Sequence, residues 1–145
     1  MNSTVLVAGG AGFIGSLLCK KLLDEGKEVV CVDNLSTGNQ ENITPFLQSN
    51  RFHFVKADTC DTNLADVVSK YTFDQVYDLA SPASVTYITE HPLETALANS
   101  VGTRNLLEIA QKHQSKFLFA SSSEAYGDPK EYPQKESYWG NVNSV

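Results

Sequence analysis

The sequence has few basic residues and no long hydrophobic run, and each absence excludes a class of protein. Its 11 lysines and arginines stand against 17 aspartates and glutamates, which gives a net charge of -6. A chain of this charge, with scattered basic residues, would repel nucleic acid. Its apolar runs fall far short of the ~20 residues that a transmembrane helix needs. We therefore expect neither nucleic acid nor a membrane among its partners.

Cysteine and histidine are also scarce. Cys19, Cys31 and Cys60 are odd in number and widely spaced, which is typical of reduced thiols rather than of a disulfide framework. The three histidines form no ligand-spaced cluster with them, so we expect no metal site. The opening residues, MNSTVLVAGG, lack the basic flank of a signal peptide. Together these features predict a cytoplasmic protein.

The chain alternates short apolar runs with longer segments of helical pattern. The runs predict strands over residues 4–8, 28–32, 52–56, 75–79 and 116–120. Because strand and helix in alternation require crossover connections, we expect an α/β fold with a doubly wound parallel sheet. At 145 residues and 41% hydrophobic composition, the chain fits one domain with its own core.

Two strong and two weak helical patterns lie between the strands. Residues 12–25 form an amphipathic pattern, and residues 92–113 open on a proline and continue as one long helix. The weaker patterns cover residues 41–48 and 63–70. The apolar residues of the first pattern are Phe13, Ile14, Leu17, Leu18, Leu22 and Leu23. The face predicted to be buried on the long helix is Leu93, Ala96, Leu97, Val101, Leu106, Ile109 and Ala110.

Glycines 9, 10, 12 and 15 lie between the first strand and the first helix, a context typical of dinucleotide binding. The first glycine allows the tight turn, Gly12 lets a pyrophosphate approach the main chain, and Gly15 permits close packing. Asp33, directly after the second strand, can accept hydrogen bonds from both hydroxyls of an adenosine ribose. Its charge would repel the 2′-phosphate of NADP, so we expect NAD. The alternative is a tight turn followed by a surface aspartate.

Three later segments contribute further candidate site residues, and two of them allow more than one interpretation. Asp58 follows the third strand and could bind the adenine amino group or cap the next helix. Ser81 and Pro82 follow the fourth strand, where the ligand crevice of such a sheet opens, and we expect them to border the nicotinamide half. The polar stretch 121–145 predicts an active-site loop. Its SSSE cluster, residues 121–124, could also be a helix-capping turn.

The motifs GGAGFIGS, VDNLSTG, LASPAS, NSVGT, SSSEAYGDP and YWGNVN follow one another in this order. With them the chain resembles the extended short-chain dehydrogenase/reductase family of nucleotide-sugar enzymes along its whole length. Within that family it is most similar to the UDP-glucuronate decarboxylases. The resemblance implies that NAD is surrounded by Gly9, Gly12, Phe13, Ile14, Asp33, Asn34, Ser36, Thr37, Gly38, Asp58, Thr59, Leu79 and Ser81.

The resemblance also implies a catalytic set of Ser122, Ser123 and Glu124. Ser122 would replace the threonine that contacts the reacting sugar hydroxyl, and Glu124 would serve near C5 and the carboxylate of UDP-glucuronate. Hydride removal from C4 would allow carbon dioxide to leave, and hydride return would give UDP-xylose. Where the family usually has a histidine this chain has Asp78, and where the decarboxylases have a substrate-binding lysine it has Leu97.

By the same match Tyr126 is not the catalytic tyrosine. The family's Tyr-x-x-x-Lys pair is expected just beyond Val145, followed by a substrate domain, so we expect a fragment that binds NAD without turnover. The long helix would supply part of a dimer contact in a full-length protein. A nucleotide-sugar 4,6-dehydratase, a 4-epimerase and a noncatalytic dinucleotide-binding module are the alternatives.

Overall fold

A five-stranded parallel sheet forms the centre of the computed structural model, which describes residues 3–142. The strands are β1 (Thr4–Ala8), β2 (Glu28–Asp33), β3 (Phe52–Lys56), β4 (Gln75–Asp78) and β5 (Lys116–Phe119), in the order β3-β2-β1-β4-β5. The chain moves outward from β1 to β3, then returns to place β4 on the other side of β1. This reversal between β1 and β4 opens a crevice at the carboxyl ends of the strands.

The strand predictions are correct apart from single residues at their ends. Asp33 extends β2 because it pairs with Lys56 of β3. Leu79 and Ala120 fall just outside β4 and β5, yet each still donates its backbone N–H to the neighbouring strand, to Ala8 and Asp78 respectively. All five predicted strands are therefore present and parallel.

Helices cover both faces of this sheet, as a doubly wound fold requires. The principal ones are α1 (Phe13–Asp24), α2 (Leu64–Val67), α3 (Val85–Glu90), α4 (Pro92–Leu97) and α5 (Thr103–His113). Alternate residues of β1 point to opposite faces. Leu6 packs with Leu106 of α5 in one core, whereas Val7 packs with Leu22 of α1 in the other. Within residues 3–142, no helix has the length and apolar character needed to cross a membrane.

The helix predictions were less exact than the strand predictions. The segment predicted at 41–48 consists of two short 3-10 helices, Gln40–Asn42 and Thr44–Phe46, and the one predicted at 63–70 is reduced to α2. Helix α3 was missed, because six residues are too few to show helical periodicity. The predicted long helix is helical throughout 92–113, but a π-helical segment, Ala98–Gly102, separates α4 from α5.

Several residues predicted to be buried are exposed. Leu93 of α4 is 66% exposed, and no residue of α4 is buried among those that the structure describes. The prediction failed because α4 lies above the ends of the strands and not against the sheet. Phe13 and Ile14 of α1, which were predicted to surround a cofactor, are 80% and 68% exposed and line the cleft at the carboxyl ends of the strands. The apolar face of α5 is buried as predicted, with Leu106, Ile109 and Ala110 in the core.

Candidate functional site

A cleft of about 1110 Å³ runs along the carboxyl ends of the strands. Every residue that was predicted to surround a cofactor lines it. They are Gly9, Gly12, Phe13, Ile14, Asp33, Asn34, Ser36, Thr37, Gly38, Asp58, Thr59, Leu79 and Ser81. The fold thus brings together residues from the ends of four strands. Their contact with a cofactor remains a prediction.

The glycine turn has room for main chain only. Gly9 adopts a left-handed φ of 75°, and a Cβ on it would lie 2.5 Å from the carbonyl oxygen of Leu79. A Cβ on Gly15 would collide with the carbonyl oxygen of Gly9, so the role predicted for Gly15 is modified: it packs α1 against the turn itself. The space at Gly10 is filled from below by the thiols of Cys31 and Cys19.

The amino end of α1 opens into the cleft. Gly12 is its N-cap residue, and no side chain among the described residues caps the helix there. The first backbone N–H groups of a helix have no partner inside the helix. They therefore point into the cleft together with the positive end of the helix dipole, an arrangement that binds phosphate.

Asp33 holds the second side of this half of the cleft. Its Oδ2 accepts the backbone N–H of Ala11 at 2.9 Å, and its Oδ1 accepts that of Leu35 at 2.8 Å. A Cβ on Gly38 would lie 2.9 Å from Oδ1, so this glycine leaves the carboxylate accessible from the loop side. Asp33 is 8% exposed, and each carboxylate oxygen keeps capacity for a further donor. Asp33 is therefore buried, which argues against the alternative of a tight turn followed by a surface aspartate.

Asp58 pairs across the cleft end with the loop after β2. Its Oδ2 accepts the side-chain amide of Asn34 at 2.7 Å, and its Oδ1 accepts the backbone N–H of Cys60 at 2.8 Å. Partial burial acts to raise the pKa of Asp58, but these hydrogen bonds outweigh it and lower the pKa below its ordinary value. The helix-capping alternative is wrong, because α2 begins at Leu64 with Asn63 at the N-cap position.

The other half of the cleft lies over β4 and β5. Asp78, at the end of β4, is 4% exposed and accepts the hydroxyl of Thr103 at 2.8 Å. Further residues that the sequence did not predict also line the cleft. They are Tyr87 and Ile88 of α3, Glu94 and Thr95 of α4, and Asn99 of the π-helical segment between α4 and α5. Leu97, expected at a substrate-binding position, lines the cleft as well. Pro92 signals that a helix starts there, but no sequence signal places that helix beside the crevice.

Only one of the three predicted catalytic residues lines the cleft. Ser122 lines the cleft, whereas Ser123 and Glu124 are not among its lining residues in the described part of the chain. The Ser122 hydroxyl accepts the backbone N–H of Glu124 at 3.2 Å and caps a 3-10 helix, Ser123–Tyr126. This contact is the helix-capping turn that was the alternative interpretation of the SSSE cluster. The final residues of the predicted active-site loop, 143–145, lie outside the described residues.

Tyr126 is followed four residues later by Lys130, but the two do not share a helix. The 3-10 helix ends at Tyr126, the following Gly127 has a φ of 63°, and Pro129 comes next. Tyr126 is 40% exposed and does not line the cleft. The spacing therefore does not place its hydroxyl beside the lysine in the manner of a catalytic pair.

The charge of the cleft is negative. Asp33, Asp58, Asp78 and Glu94 line it, and no lysine, arginine or histidine of residues 3–142 does. Over the same residues, no group of three or more His, Cys, Asp or Glu side chains could hold a metal ion. Binding of an anionic ligand here depends on uncharged donors, which are backbone N–H groups and side chains such as those of Ser36 and Thr37.

The parallel sheet, the glycine turn at the reversal point and the acidic residue after β2 define a Rossmann-type dinucleotide-binding protein. The chain belongs to the family described as GDP-mannose 4,6 dehydratase, which matches residues 6–144. This family is NAD-dependent, and the membership confirms the predicted resemblance to nucleotide-sugar epimerases and dehydratases.

Curated relatives support the narrower resemblance. The chain is 43% identical over 141 residues to UDP-glucuronic acid decarboxylase 1 of Arabidopsis thaliana, a match that covers 97% of this chain and 31% of the relative. It is 40% identical over 141 residues to UDP-glucuronic acid decarboxylase 1 of Danio rerio, covering 97% of this chain and 32% of that protein. The chain thus spans about a third of the length of these relatives.

Solved structures share the fold. UDP-glucose 4-epimerase from Brucella ovis, in complex with NAD, superposes with a TM-score of 0.81 at 34% identity, covering 97% of this chain and 42% of that one. The UDP-Glc/GlcNAc 4-epimerase of Campylobacter jejuni gives a TM-score of 0.85 at 28% identity, with 98% and 44% covered.

Proposed function

We propose that this chain binds NAD and supplies the cofactor-binding part of a nucleotide-sugar enzyme, with UDP-glucuronate decarboxylation to UDP-xylose as its reaction. The observation that carries the proposal is the pairing of the uncapped start of α1 with the Asp33 carboxylate, joined by the 2.9 Å bond to Ala11. These are the two groups that a pyrophosphate and an adjoining ribose require.

The residues present fit this cofactor. A Cβ at Gly12 would stand 3.2 Å from the carbonyl oxygen of Gly9, in the space that a phosphate would use. Asp33 would accept the ribose hydroxyls, and Asn34 and Asp58 would lie beside the adenine. The chemistry that NAD supplies when bound is reversible acceptance of a hydride from the sugar. The chain itself binds, orients and shields the reacting groups.

The substrate would lie over β4 and β5. Ser122, which lines the cleft there, would hydrogen-bond the reacting sugar hydroxyl. Glu124 would move a proton at C5 if the 3-10 helix that carries it turned toward the cleft. The names of the curated relatives favour this reaction over others of the family.

A second candidate is 4-epimerisation of a nucleotide sugar. The specific observation that favours it is the position of Glu124, which does not line the cleft, because an epimerase does not need this carboxylate. A noncatalytic dinucleotide-binding module would use the same cofactor half without either reaction. The three functions share NAD binding and differ in the products they predict.

Calorimetric titration of the chain with NAD and with NADP tests the shared part. We expect NAD to bind and NADP to bind at least about tenfold more weakly, because the charge of Asp33 would repel the 2′-phosphate. Equal affinities would disprove the role of Asp33, and absence of NAD binding would disprove the proposed function.

Mass-spectrometric analysis after incubation with NAD and UDP-glucuronate tests turnover. We expect the 145-residue chain to form no UDP-xylose, since no described tyrosine has a lysine placed one helical turn away to lower its pKa. Formation of UDP-xylose would show that another base serves and would contradict this expectation. Epimerised UDP-sugars in a parallel incubation with UDP-glucose would favour the second candidate.

A further inference from the structure

Helix α4 forms one wall of the cleft but has no anchor of its own in the core. No residue of α4 is buried in the described structure, although it contributes Glu94, Thr95 and Leu97 to the cleft. Its position must therefore be set by the segments on either side. On the amino-terminal side stands α3, which likewise has no buried residue among those described.

The carboxyl-terminal side of α4 continues into α5, whose apolar face is buried against the sheet and whose first residue also forms a hydrogen bond with β4. Thr103 is the first residue of α5, and its hydroxyl donates to Oδ2 of Asp78 at 2.8 Å. The other oxygen, Oδ1, accepts the backbone N–H of Ala80 at 3.3 Å. Since Asp78 is 4% exposed, loss of the Thr103 hydroxyl would leave one buried carboxylate oxygen without its donor.

Two neighbours of Thr103 make further contacts with the loop after β3. Gly102 packs so closely on Thr59 that a Cβ would lie 3.1 Å from the Thr59 Cβ. The side-chain amide of Asn105 donates to the carbonyl oxygen of Thr59 at 2.8 Å. The start of α5 is thereby fixed to both halves of the cleft floor, with Thr103 between the two contacts.

The π-helical segment Ala98–Gly102 connects this fixed point directly to α4. A π-helical turn contains an additional residue and changes the direction in which the preceding helix faces. We propose that Thr103, acting through Asp78, is a positioning residue that fixes α4 over the β4–β5 half of the cleft. The proposal rests on the proposed NAD-binding function only for its effect on affinity.

Hydrogen exchange of the ligand-free chain tests the positioning directly. In Thr103→Val, which keeps the branched shape and removes the hydroxyl, amides of residues 93–102 should exchange about tenfold faster. In Thr103→Ser, which keeps the hydroxyl, the same amides should exchange at the rate of the unmodified chain. Thr72→Val is the matched control, because Thr72 is exposed and lies at the opposite end of the sheet.

The outcomes separate positioning from a general loss of stability. Unchanged exchange at 93–102 in Thr103→Val, or equal acceleration in β1 and β2, would overturn the proposal. If Thr103 acts through Asp78, the double variant Asp78→Ala/Thr103→Val should exchange no faster at 93–102 than Asp78→Ala alone. If Asp78→Ala fails to fold, the comparison of Thr103→Val with Thr103→Ser still tests whether the Thr103 hydroxyl fixes α4.

Affinity gives the functional readout. In Thr103→Val the affinity for NAD should fall about fivefold while that for ADP, which occupies only the adenosine half, stays unchanged. A parallel fall for both ligands would contradict a role confined to the β4–β5 half. If the unmodified chain binds no NAD, the proposed function fails, whereas the exchange experiment still tests Thr103.

Discussion

The carboxylate of Asp33 accepts the backbone N–H of Ala11, 22 residues earlier, at 2.9 Å. This bond joins the end of β2 to the glycine turn after β1. The carbonyl oxygen of the same Ala11 accepts the backbone N–H of Asn39 at 3.1 Å and the side-chain amide of Asn42 at 2.8 Å. Ala11 is thus the point where the glycine turn and the loop after β2 meet, and Asp33 is both part of that junction and a candidate ribose ligand.

Replacing Asp33 by asparagine should weaken NAD binding about tenfold, because a hydrogen bond to a charged acceptor is worth about 1.5–3 kcal/mol. Affinity for NADP should fall less, so the ratio of NAD affinity to NADP affinity should decrease. Asp74→Asn is the matched control, since Asp74 also accepts a backbone N–H, that of Thr4 at 2.9 Å, far from the cleft. Titration calorimetry of both variants with both cofactors measures the effect. An unchanged NAD preference in Asp33→Asn would contradict the assignment.

Substitutions at two glycines of the turn should affect the free energy of unfolding and the NAD affinity to different extents. Gly15→Ala should lower the free energy of unfolding by about 2 kcal/mol or more, because its Cβ would overlap the Gly9 carbonyl oxygen. Gly12→Ala should cost less stability but reduce NAD affinity at least about tenfold by filling the phosphate space. Denaturant unfolding and calorimetry provide the two measurements.

Gly26→Ala is the control for the glycine series. Its φ is 83°, but the nearest atom to a Cβ there is 3.6 Å away, at the end of the Arg51 side chain. We expect a loss of about 1–2 kcal/mol from the left-handed backbone and no change in NAD affinity. Equal binding by Gly12→Ala and Gly26→Ala would argue against a phosphate at the turn.

Acidification should destabilise the chain partly through Asp58. Its pKa is lower in the folded state than its ordinary value, because hydrogen bonds from Cys60 and Asn34 outweigh the opposing effect of partial burial. The folded state therefore gains stability above the ordinary aspartate pKa of about 3.9, and this gain is lost as the pH falls through the lowered folded-state pKa. In Asp58→Asn the decline in unfolding free energy between about pH 5 and pH 2 should be shallower. A decline of unchanged slope would rule out this contribution.

Salt should affect NAD binding little. In sites where lysine or arginine binds phosphate, added salt weakens the complex, but no basic side chain of the described residues lines this cleft. Raising sodium chloride from about 50 to about 500 mM should leave the NAD affinity within about twofold. Thr37→Arg, which adds a cation to the lining, should make the affinity fall with salt. A steep fall in the unmodified chain would reveal a cationic contact that the cleft residues do not account for.

Much of the site could be predicted from the sequence because it depends on backbone geometry. Glycines at fixed offsets from a strand and a helix, and an acidic residue after the next strand, are local features with one structural solution. The sequence therefore predicts that the residues around Gly12 and Asp33 meet at one site, and in the structure they line the same cleft.

The β4–β5 half was harder to predict because its parts are held by tertiary contacts. Nothing in the local pattern of residues 92–113 indicates that the helix changes register at Ala98, since that change accompanies contacts of Gly102 with Thr59 and of Thr103 with Asp78. For the same reason Leu93 looks like a core residue in sequence and is exposed in the structure. Glu124 follows the fifth strand as expected, but the direction of its short helix is not encoded in the motif.

The thiols of Cys19 and Cys31 lie beneath Gly10, and both side chains are fully buried. Their mutual hydrogen bond and their burial raise the pKa of Cys31 far above its ordinary value, which keeps it protonated and unreactive. Only Cys60, partly accessible at the cleft, can meet a disulfide reagent without unfolding. Modification of the other two sulfur atoms consequently requires the floor under the phosphate-facing turn to open.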